Sequence, residues 1–139
     1  QQVELAVVVT SGLANARHVG DYAEYRSMTT TTTDTGTINI IVLSSATLSS
    51  AAMVEALMIA TEAKAAALTE ANILSPISQQ IATGTGTDAI AIVNGDGEHH
   101  VHYCGKHVLF GQILGQMVKD AVTKSISWDV THNEKKLRA

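Results

Sequence analysis

Residues 36–72 read GTINIIVLSSATLSSAAMVEALMIATEAKAAALTEAN, and this stretch joins a predicted strand directly to a predicted long helix. Within residues 36–44 the run from Ile38 to Leu43 is apolar and mostly β-branched, with Asn39 as its one polar residue, which is typical of a strand. The serines in residues 44–50 supply several candidate N-caps for a helix over residues 51–72, and Pro76 blocks any continuation of that helix. A strand followed at once by an alanine-rich helix indicates a domain that packs helices on a sheet.

The predicted long helix has an apolar face that contains one misplaced charge, Lys64. At about 100° per residue, one face is shared by Met53, Leu57, Ala60, Leu68 and Ala71, and the opposite face by Glu55, Glu62 and Thr69. Lys64 falls in the middle of the apolar face. Two interpretations are open: its ammonium snorkels to solvent, or it is the buried partner of a carboxylate such as Asp88.

The flanking segments extend the pattern to a complete domain. Residues 3–9 predict a buried strand, residues 22–37 an edge strand or a long loop, and residues 81–93 a glycine-rich turn followed by a strand. The sequence Asn-Gly-Asp-Gly at 94–97 is a hairpin-turn signal, with residues 99–103 as the returning strand. A second helix is predicted over residues 107–124, with an apolar face made of Phe110, Ile113, Leu114, Met117, Val118 and Ala121. Gly111 and Gly115 beside that face allow another backbone to approach closely.

These elements predict an α+β fold, a two-layer sandwich in which a mixed sheet of about four or more strands packs on two long helices. Residues 1–125 are expected to form a single domain of catalytic type, and residues 126–139 a polar C-terminal tail that frays. The chain opens without an initiator Met, which suggests a fragment that lacks a preceding segment.

Composition excludes several classes of function. The 139 residues are 45% hydrophobic and 16% charged, which suits one packed domain and argues against disorder. A net charge of −4 argues against a nucleic-acid partner. No run approaches the ~20 apolar residues of a membrane span, and Cys104 is the only cysteine, which suits a reducing compartment. The cytoplasm is therefore the expected location.

The sharpest candidate for chemistry is ATGTGTD at residues 82–88. Glycines spaced by one residue allow positive φ and bring backbone N–H groups close to a ligand, where they stabilise a developing negative charge. The segment lacks the third glycine of a dinucleotide fingerprint and the Gly-Lys-Ser/Thr end of a P-loop. The alternative is an ordinary turn that precedes a strand.

A second candidate is TSGLANARHVGD at residues 10–21, at the end of the first predicted strand. Asn15 can donate to and accept from an amide substrate, and Arg17 offers a planar fork for a carboxylate, phosphate or carbonyl. The alternative is a polar loop with a local ion pair between Arg17 and Asp21.

Several other residues carry an open choice. His107, at the start of the second predicted helix, is either a general base or a surface helix cap. Glu55 and Glu62 lie two turns apart, which is ordinary for a solvated face. His99, His100 and His102 invite a metal site, but no carboxylate or thiol is placed to complete it, so no metal is expected. Cys104 is either a nucleophile or a small core residue.

Five blocks in this order resemble the adenosylcobinamide amidohydrolase family. They are TSGLANAR at residues 10–17, GTINII at 36–41, AMVEA with ATEAK at 52–64, ATGTGTD at 82–88, and GKH with Gly111 at 105–111. The match covers residues 7–122, and its order makes it more specific than any one block. The histidines at 99–102 and Cys104 are not features of the family.

The resemblance implies that the enzyme removes the aminopropanol arm of adenosylcobinamide and releases adenosylcobyric acid and 1-amino-2-propanol. The family leaves the nucleophile open. Our mechanistic hypothesis is that activated water or a hydroxyl of the loop with Thr83, Thr85 and Thr87 attacks, with His107 or Asp88 as the base. Substrate contacts are expected from Asn15, Arg17, Asn39, Glu55 and Lys64, with an oxyanion held near Gly84 and Gly86.

The expected partner is the small-molecule corrinoid substrate, with no required cofactor, no nucleic acid and no membrane. Self-association is left open. The competing hypotheses are a corrinoid- or nucleotide-binding module without catalysis, and a structural subunit. Release of aminopropanol would distinguish the enzyme from both.

Overall fold

The protein is described from a computed structural model that covers residues 2–24 and 36–138, with side chains described as far as residue 133. The elements run in the order β1 Leu5–Ser11, β2 Ala16–Arg17, β3 Ile38–Ser44, β4 Thr47–Leu48, α1 Ser50–Glu70, β5 Gly84–Thr85, β6 Ala89–Val93, β7 His100–Val101 and α2 Leu109–Arg138. The edge strand or loop predicted over residues 22–37 lies mostly outside the described residues.

The main sheet is mixed, with strand order β1-β3-β6. β3 runs antiparallel to β1 and parallel to β6. The described part of the chain adds two two-stranded ladders, β2 with β5 and β4 with β7. Both helices cover one face of the sheet, α2 over β1 and α1 over β6, so the predicted α+β architecture is confirmed. The main sheet has three strands, and the four strands of the two ladders have two residues each.

The central strand β3 shows how the sequence selects the covered face. Ile38, Ile40 and Val42 are at most 1% exposed and point to the helices, whereas Ile41 and Leu43 lie on the open face. This alternation follows from the two-residue period of a strand. β1 alternates between half-buried and exposed residues, so its prediction as a fully buried strand is wrong.

Helix α1 begins at the predicted position. Ser49 is its N-cap, and the Ser49 hydroxyl accepts a hydrogen bond from the Ala52 N–H at 3.1 Å. The buried face consists of Ala52, Ala56, Ile59, Ala60, Ala63, Lys64, Ala67 and Leu68. Two members of the predicted apolar face, Leu57 and Ala71, are exposed instead. The buried face is made mostly of small alanines rather than of Leu57, and Ala71 is the C-cap after the last residue of the helix.

Helix α2 packs against α1, and its two glycines meet different neighbours: Gly111 the backbone of the loop before α2, and Gly115 the Ile59 side chain of α1. A Cβ at Gly111 would overlap the backbone carbonyls of Cys104 and Gly105, and one at Gly115 would be 3.4 Å from Ile59. The predicted end of this helix near Lys124 is wrong, because α2 continues to Arg138. Ile126, within the predicted tail, is 2% exposed and belongs to the core.

The predicted hairpin after β6 is also wrong. β7 pairs in parallel with β4, not with β6. The side chain of Asn94 bonds both backbone groups of Leu48, at 2.7 and 3.1 Å, and a Cβ at Gly95 would overlap the backbone of Ser45. The Asn-Gly pair therefore does not form a hairpin turn. Its glycine lets the backbone pack closely on the segment before α1, and its asparagine amide makes the bonds to Leu48 that a neighbouring strand would otherwise make. Within the described residues, no helix is long and apolar enough to cross a membrane.

Candidate active site

The two segments that the sequence marks for chemistry lie side by side. β2 pairs antiparallel with β5, with Arg17 opposite Gly84. Two further backbone bonds extend the pair, from the Gly86 N–H to the Asn15 carbonyl at 3.0 Å and from the Thr83 N–H to the Arg17 carbonyl at 2.9 Å. Residues 10–21 and 82–88 therefore form one continuous surface next to α1.

Asp88 is the centre of this surface and accepts four hydrogen bonds. Its Oδ2 receives the Lys64 ammonium at 2.5 Å and the Thr85 N–H at 2.9 Å. Its Oδ1 receives the Thr85 hydroxyl at 2.5 Å and the Ile38 N–H at 3.0 Å. The side chains of Lys64 and Asp88 are each 10% exposed. Of the two interpretations of Lys64, the buried ion pair with Asp88 is confirmed.

The glycines of residues 82–88 are required for space. A Cβ at Gly84 would overlap the Asp88 carboxylate and lie 2.8 Å from the Lys64 ammonium, and one at Gly86 would lie 2.6 Å from the Asn15 amide nitrogen. Neither glycine has positive φ, so that part of the prediction is wrong. The Gly86 N–H donates to the Asn15 carbonyl, which leaves it occupied rather than aimed at an oxyanion.

A cavity of about 810 Å³ opens above the ion pair. One side comes from β2, β5 and the residues after them, and the other comes from α1, which contributes both apolar and polar side chains: Leu57, Met58, Ala65, Thr61, Glu62 and Lys64. The predicted site residues that line it are Arg17, Lys64, Gly84, Thr85, Gly86 and Asp88. Its volume is within the range of small-molecule sites, which is typically ~300–1,000 Å³.

An exposed apolar stripe on α1 borders the cavity. Leu57 and Met58 line it and are 42% and 64% exposed. Val54, one turn before Met58, is 60% exposed, and Val19 on the facing loop also lines the cavity and is exposed. Large apolar side chains gathered beside a polar pocket are typical of a binding surface rather than of scattered surface residues.

Arg17 lies at the cavity edge with an ion pair other than the one considered from sequence. Its Nη2 is 3.1 Å from Glu24 Oε2, and its Nη1 donates to the Ala16 carbonyl at 2.9 Å. Asp21 instead accepts the Ser75 hydroxyl at 2.5 Å. Hydrogen bonds from Ser75 and Ser78 lower the pKa of the Asp21 carboxyl below its usual 3.8. The predicted pairing of Arg17 with Asp21 is therefore wrong.

Sequence reasoning gave no role to His18, which also lines the cavity. Its Nδ1 is 2.7 Å from the Ile81 carbonyl oxygen, and its backbone N–H donates to Asp21 Oδ2 at 2.8 Å. The only sequence signal was its position in the polar cluster at residues 15–21. Its partner Ile81 is 63 residues away, and no spacing rule connects the two.

Three predicted site residues face other neighbours. The Asn39 side chain donates to Thr10 on the open face of the sheet at 3.2 Å. The Thr87 hydroxyl donates to the Gly36 carbonyl at 3.1 Å, and Thr87 does not line the cavity. Asn15 is 6% exposed, and its side-chain amide packs against Gly86. These contacts hold the loop in position, and the functional roles predicted for the three residues stay predictions.

His107 and Glu55 form a separate group near the start of α2. A Cβ at Gly105 would lie 2.9 Å from the His107 ring and 3.4 Å from Glu55 Oε2. His107 is exposed and does not line the cavity beside Asp88. Neighbouring Lys106 pairs with Glu62 at 2.8 Å on the surface. The catalytic role predicted for His107 stays a prediction.

Cys104 is fully buried, and its environment suppresses the thiolate. Burial and, to a smaller extent, the nearby Glu55 carboxylate raise the pKa of the thiol to about 11. Because the thiolate is the nucleophile, this favours the interpretation of Cys104 as a core residue. Among the side chains described, which lie in residues 2–24 and 36–133, no group of three His, Cys, Asp or Glu is placed to hold a metal ion.

Comparison with known proteins gives two findings. The family model described as adenosylcobinamide amidohydrolase matches residues 1–134. An uncharacterized protein of Methanocaldococcus jannaschii is 41% identical over 92 residues, which are 66% of this chain and 36% of that protein. The matched region thus spans about a third of the length of that relative. No solved structure matches the chain significantly.

Proposed function

The chain belongs to the adenosylcobinamide amidohydrolase family, and from this premise we propose that it hydrolyses the aminopropanol amide of adenosylcobinamide. The products are adenosylcobyric acid and 1-amino-2-propanol, in the salvage of corrinoids for coenzyme B12 synthesis. The observation that carries the proposal is the buried Lys64–Asp88 pair at the base of an 810 Å³ cavity with an apolar border. The site of reaction is this cavity.

An exposed apolar stripe beside the polar pocket at Lys64 and Asp88 suits a corrinoid with a reactive arm. A corrin ring presents a broad, largely apolar face, and the stripe of Val54, Leu57 and Met58 offers a matching exposed surface. The aminopropanol arm is narrow and polar and enters the cavity toward Lys64. Removal of apolar surface from water stabilises binding by about 25 cal/mol per Å², so the ring supplies affinity and the arm supplies chemistry.

Lys64 is the group that polarises the amide carbonyl. An ammonium has three donors, and among the described residues only Asp88 accepts one of them. The remaining donors lie in a site where the side chain is 10% exposed. Electrostatic stabilisation of an oxyanion is stronger in such a dry, preorganised site than in water. Lys64 therefore takes the role that the sequence suggested for the N–H groups near Gly84 and Gly86.

Asp88 holds Lys64 and Thr85 in place. Its two oxygens already accept four hydrogen bonds, which fills the capacity of a carboxylate. It can accept a proton from water only if one of these bonds breaks. We therefore propose an orienting role for Asp88, with the Thr85 hydroxyl directed by Asp88 and positioned to bind the attacking water.

The proposal also includes the conditions of the reaction. The corrinoid is substrate and no separate cofactor is required, the location is the cytoplasm, and the chain acts without nucleic acid or membrane. The expectation that no cofactor is required is supported by the chemistry of amide hydrolysis, which needs only water, an electrophile and a base.

The test is incubation of the purified chain with adenosylcobinamide and quantification of released 1-amino-2-propanol. Adenosylcobyric acid, which lacks the arm, is the control that should release none. Release by the wild-type chain and its loss in the Lys64→Met variant would support the proposal. Corrinoid binding without release would favour a binding module, and neither binding nor release would favour a structural subunit.

A further inference from the structure

We infer that His18 is the general base that activates water for the proposed hydrolysis, and that it then protonates the leaving amine. The inference rests on the proposed function and adds to it the group that moves the proton. Such a group is needed because water is a weak nucleophile toward an amide, and a positioned base contributes about 10²–10⁴-fold to the rate. The Asp88 oxygens are occupied by four donors, and His107 does not line the cavity.

The hydrogen bond at Nδ1 determines the tautomer of His18. Nδ1 lies 2.7 Å from the Ile81 carbonyl oxygen. A carbonyl oxygen only accepts, so Nδ1 must carry the proton in this contact. In the neutral ring the lone pair is therefore on Nε2. A histidine whose Nδ1–H is held by an acceptor, with Nε2 available, has the arrangement of a catalytic base.

The main chain around His18 is fixed on both sides. The His18 N–H donates to Asp21 Oδ2 at 2.8 Å, and the Asp21 N–H donates back to the His18 carbonyl at 3.0 Å. Asp21 is itself held by the buried Ser75. On the other side, the Val19 N–H donates to the Thr83 hydroxyl at 3.0 Å, which ties this turn to the loop that carries Thr85. The imidazole therefore has a defined position on the cavity wall.

The charges around the ring come from three segments. Asp21 and Glu24 lie on the loop that carries His18, and Arg17 directly precedes His18 in the chain. Lys64 and Glu62 lie on α1, and Asp88 follows β5. Lys64 and Asp88 neutralise each other, and so do Arg17 and Glu24.

The proton balance closes without a further reagent. His18 Nε2 takes one proton from water while the water oxygen bonds to the amide carbon, and the carbonyl electron pair moves to the oxygen beside Lys64. When the tetrahedral intermediate collapses, the C–N bond breaks and the imidazolium gives its proton to the leaving nitrogen. The products are the carboxylic acid and the amine, and His18 returns to its neutral state.

The test compares three variants for kcat/KM with adenosylcobinamide. His18→Asn keeps a donor for the Ile81 carbonyl, because its amide nitrogen replaces Nδ1, but it removes Nε2. We expect a loss of about 10²-fold or more, together with loss of the acid limb of the kcat/KM pH profile. His18→Gln, which lacks the Nδ1 donor and cannot take up a proton, should be equally inactive. His99→Ala, which removes an exposed histidine that does not line the cavity, should keep both the rate and the acid limb.

Thermal unfolding of each variant separates a catalytic loss from a loss of fold. A folded His18→Asn protein with wild-type rate, or with an unchanged acid limb, would overturn the inference while release by the wild-type chain still upheld the proposed function. A further variant, His107→Ala, tests the competing base: a large loss there with little change in His18→Asn would assign the role of general base to His107. If the wild-type chain itself releases no aminopropanol, the proposed function fails and the inference fails with it.

Discussion

Two regions beside α1 present similar chemistry in the sequence but different geometry in the fold. Around Asp88, a glycine-rich loop brings together Lys64, Thr85 and His18 at one cavity. Around His107, another glycine-containing loop lies next to Glu55, but His107 is exposed, and the Lys106–Glu62 pair there is 70% and 59% exposed. Exposed ion pairs contribute little, about 0–1 kcal/mol. Burial and convergence, rather than residue type, therefore distinguish the region around Asp88, which we propose to be catalytic.

The largest expected effect comes from breaking the buried pair. Asp88→Asn leaves the Lys64 ammonium without its carboxylate and replaces one acceptor oxygen by an NH2 group, so one of the two hydrogen bonds from Thr85 is lost whichever way the amide is turned. We expect kcat/KM to fall by about 10²-fold or more. The free energy of unfolding should fall by roughly 3–5 kcal/mol, because removal of one partner leaves a buried charge unpaired. Steady-state kinetics and denaturant unfolding measure the two effects.

A double variant separates these two losses. Lys64→Met with Asp88→Asn removes both charges but keeps one acceptor oxygen for Thr85 or Ile38, so it should be more stable than Asp88→Asn alone while it stays inactive. Recovery of activity in the double variant would show that the pair serves the fold alone.

An intermediate effect, on thermal stability, is expected from Asp21, which bonds the backbone of His18 beside the cavity. The pKa of Asp21 is lowered by hydrogen bonds from Ser75 and Ser78, so the ionised carboxylate stabilises the folded state. This contribution is complete above the unfolded value of 3.8 and is lost as the pH falls through the lower folded value. Asp21→Asn should therefore lower Tm at neutral pH, and the difference from wild type should shrink below pH 3.8.

Ser75→Ala provides the matched check, because the Ser75 hydroxyl is the largest cause of the shift. It should lower Tm in the same direction. A difference between Asp21→Asn and wild type that stays constant across acid pH would show that the carboxylate is not stabilising this loop.

A small effect is expected in the other region. The sequence predicts a loss of about 10²-fold for His107→Ala as a general base. The position of His107 outside the cavity predicts a change of less than about fivefold instead. Kinetics of His107→Ala beside Asp88→Asn decide between the two, and a loss as large as that of Asp88→Asn would mean that the two regions act together.

The periodic elements could be predicted from sequence, and the errors have physical causes. Alternation in β3 and the serine caps of α1 located both elements, because these signals are local. The end of α2 was missed because the sequence after residue 126 is mostly polar, while Ile126 itself packs into the core. The hairpin was predicted wrongly because Asn94 bonds the backbone of Leu48, a contact across 46 residues that no local pattern contains.

The candidate site was predicted in its parts but not in its arrangement. The two loops were identified by their polar residues and glycines, and the fold pairs them directly. Lys64 was recognisable as a misplaced charge, but its partner Asp88 lies 24 residues away and only the packing of α1 against β6 selects it. His18 had no distinguishing signal, because its role depends on the Ile81 carbonyl.

The central claim, that the cavity beside Asp88 is where the corrinoid amide is hydrolysed, is tested most directly by two matched tryptophan variants of α1. Thr61 and Thr69 are both exposed, and each hydroxyl donates to the carbonyl four residues earlier, at 2.8 and 2.9 Å. Thr61 lines the cavity and Thr69 does not. The measurement is release of 1-amino-2-propanol from adenosylcobinamide by the two variants. We predict that Thr61→Trp loses at least about tenfold in rate while Thr69→Trp keeps the wild-type rate; equal rates in the two variants would contradict the account.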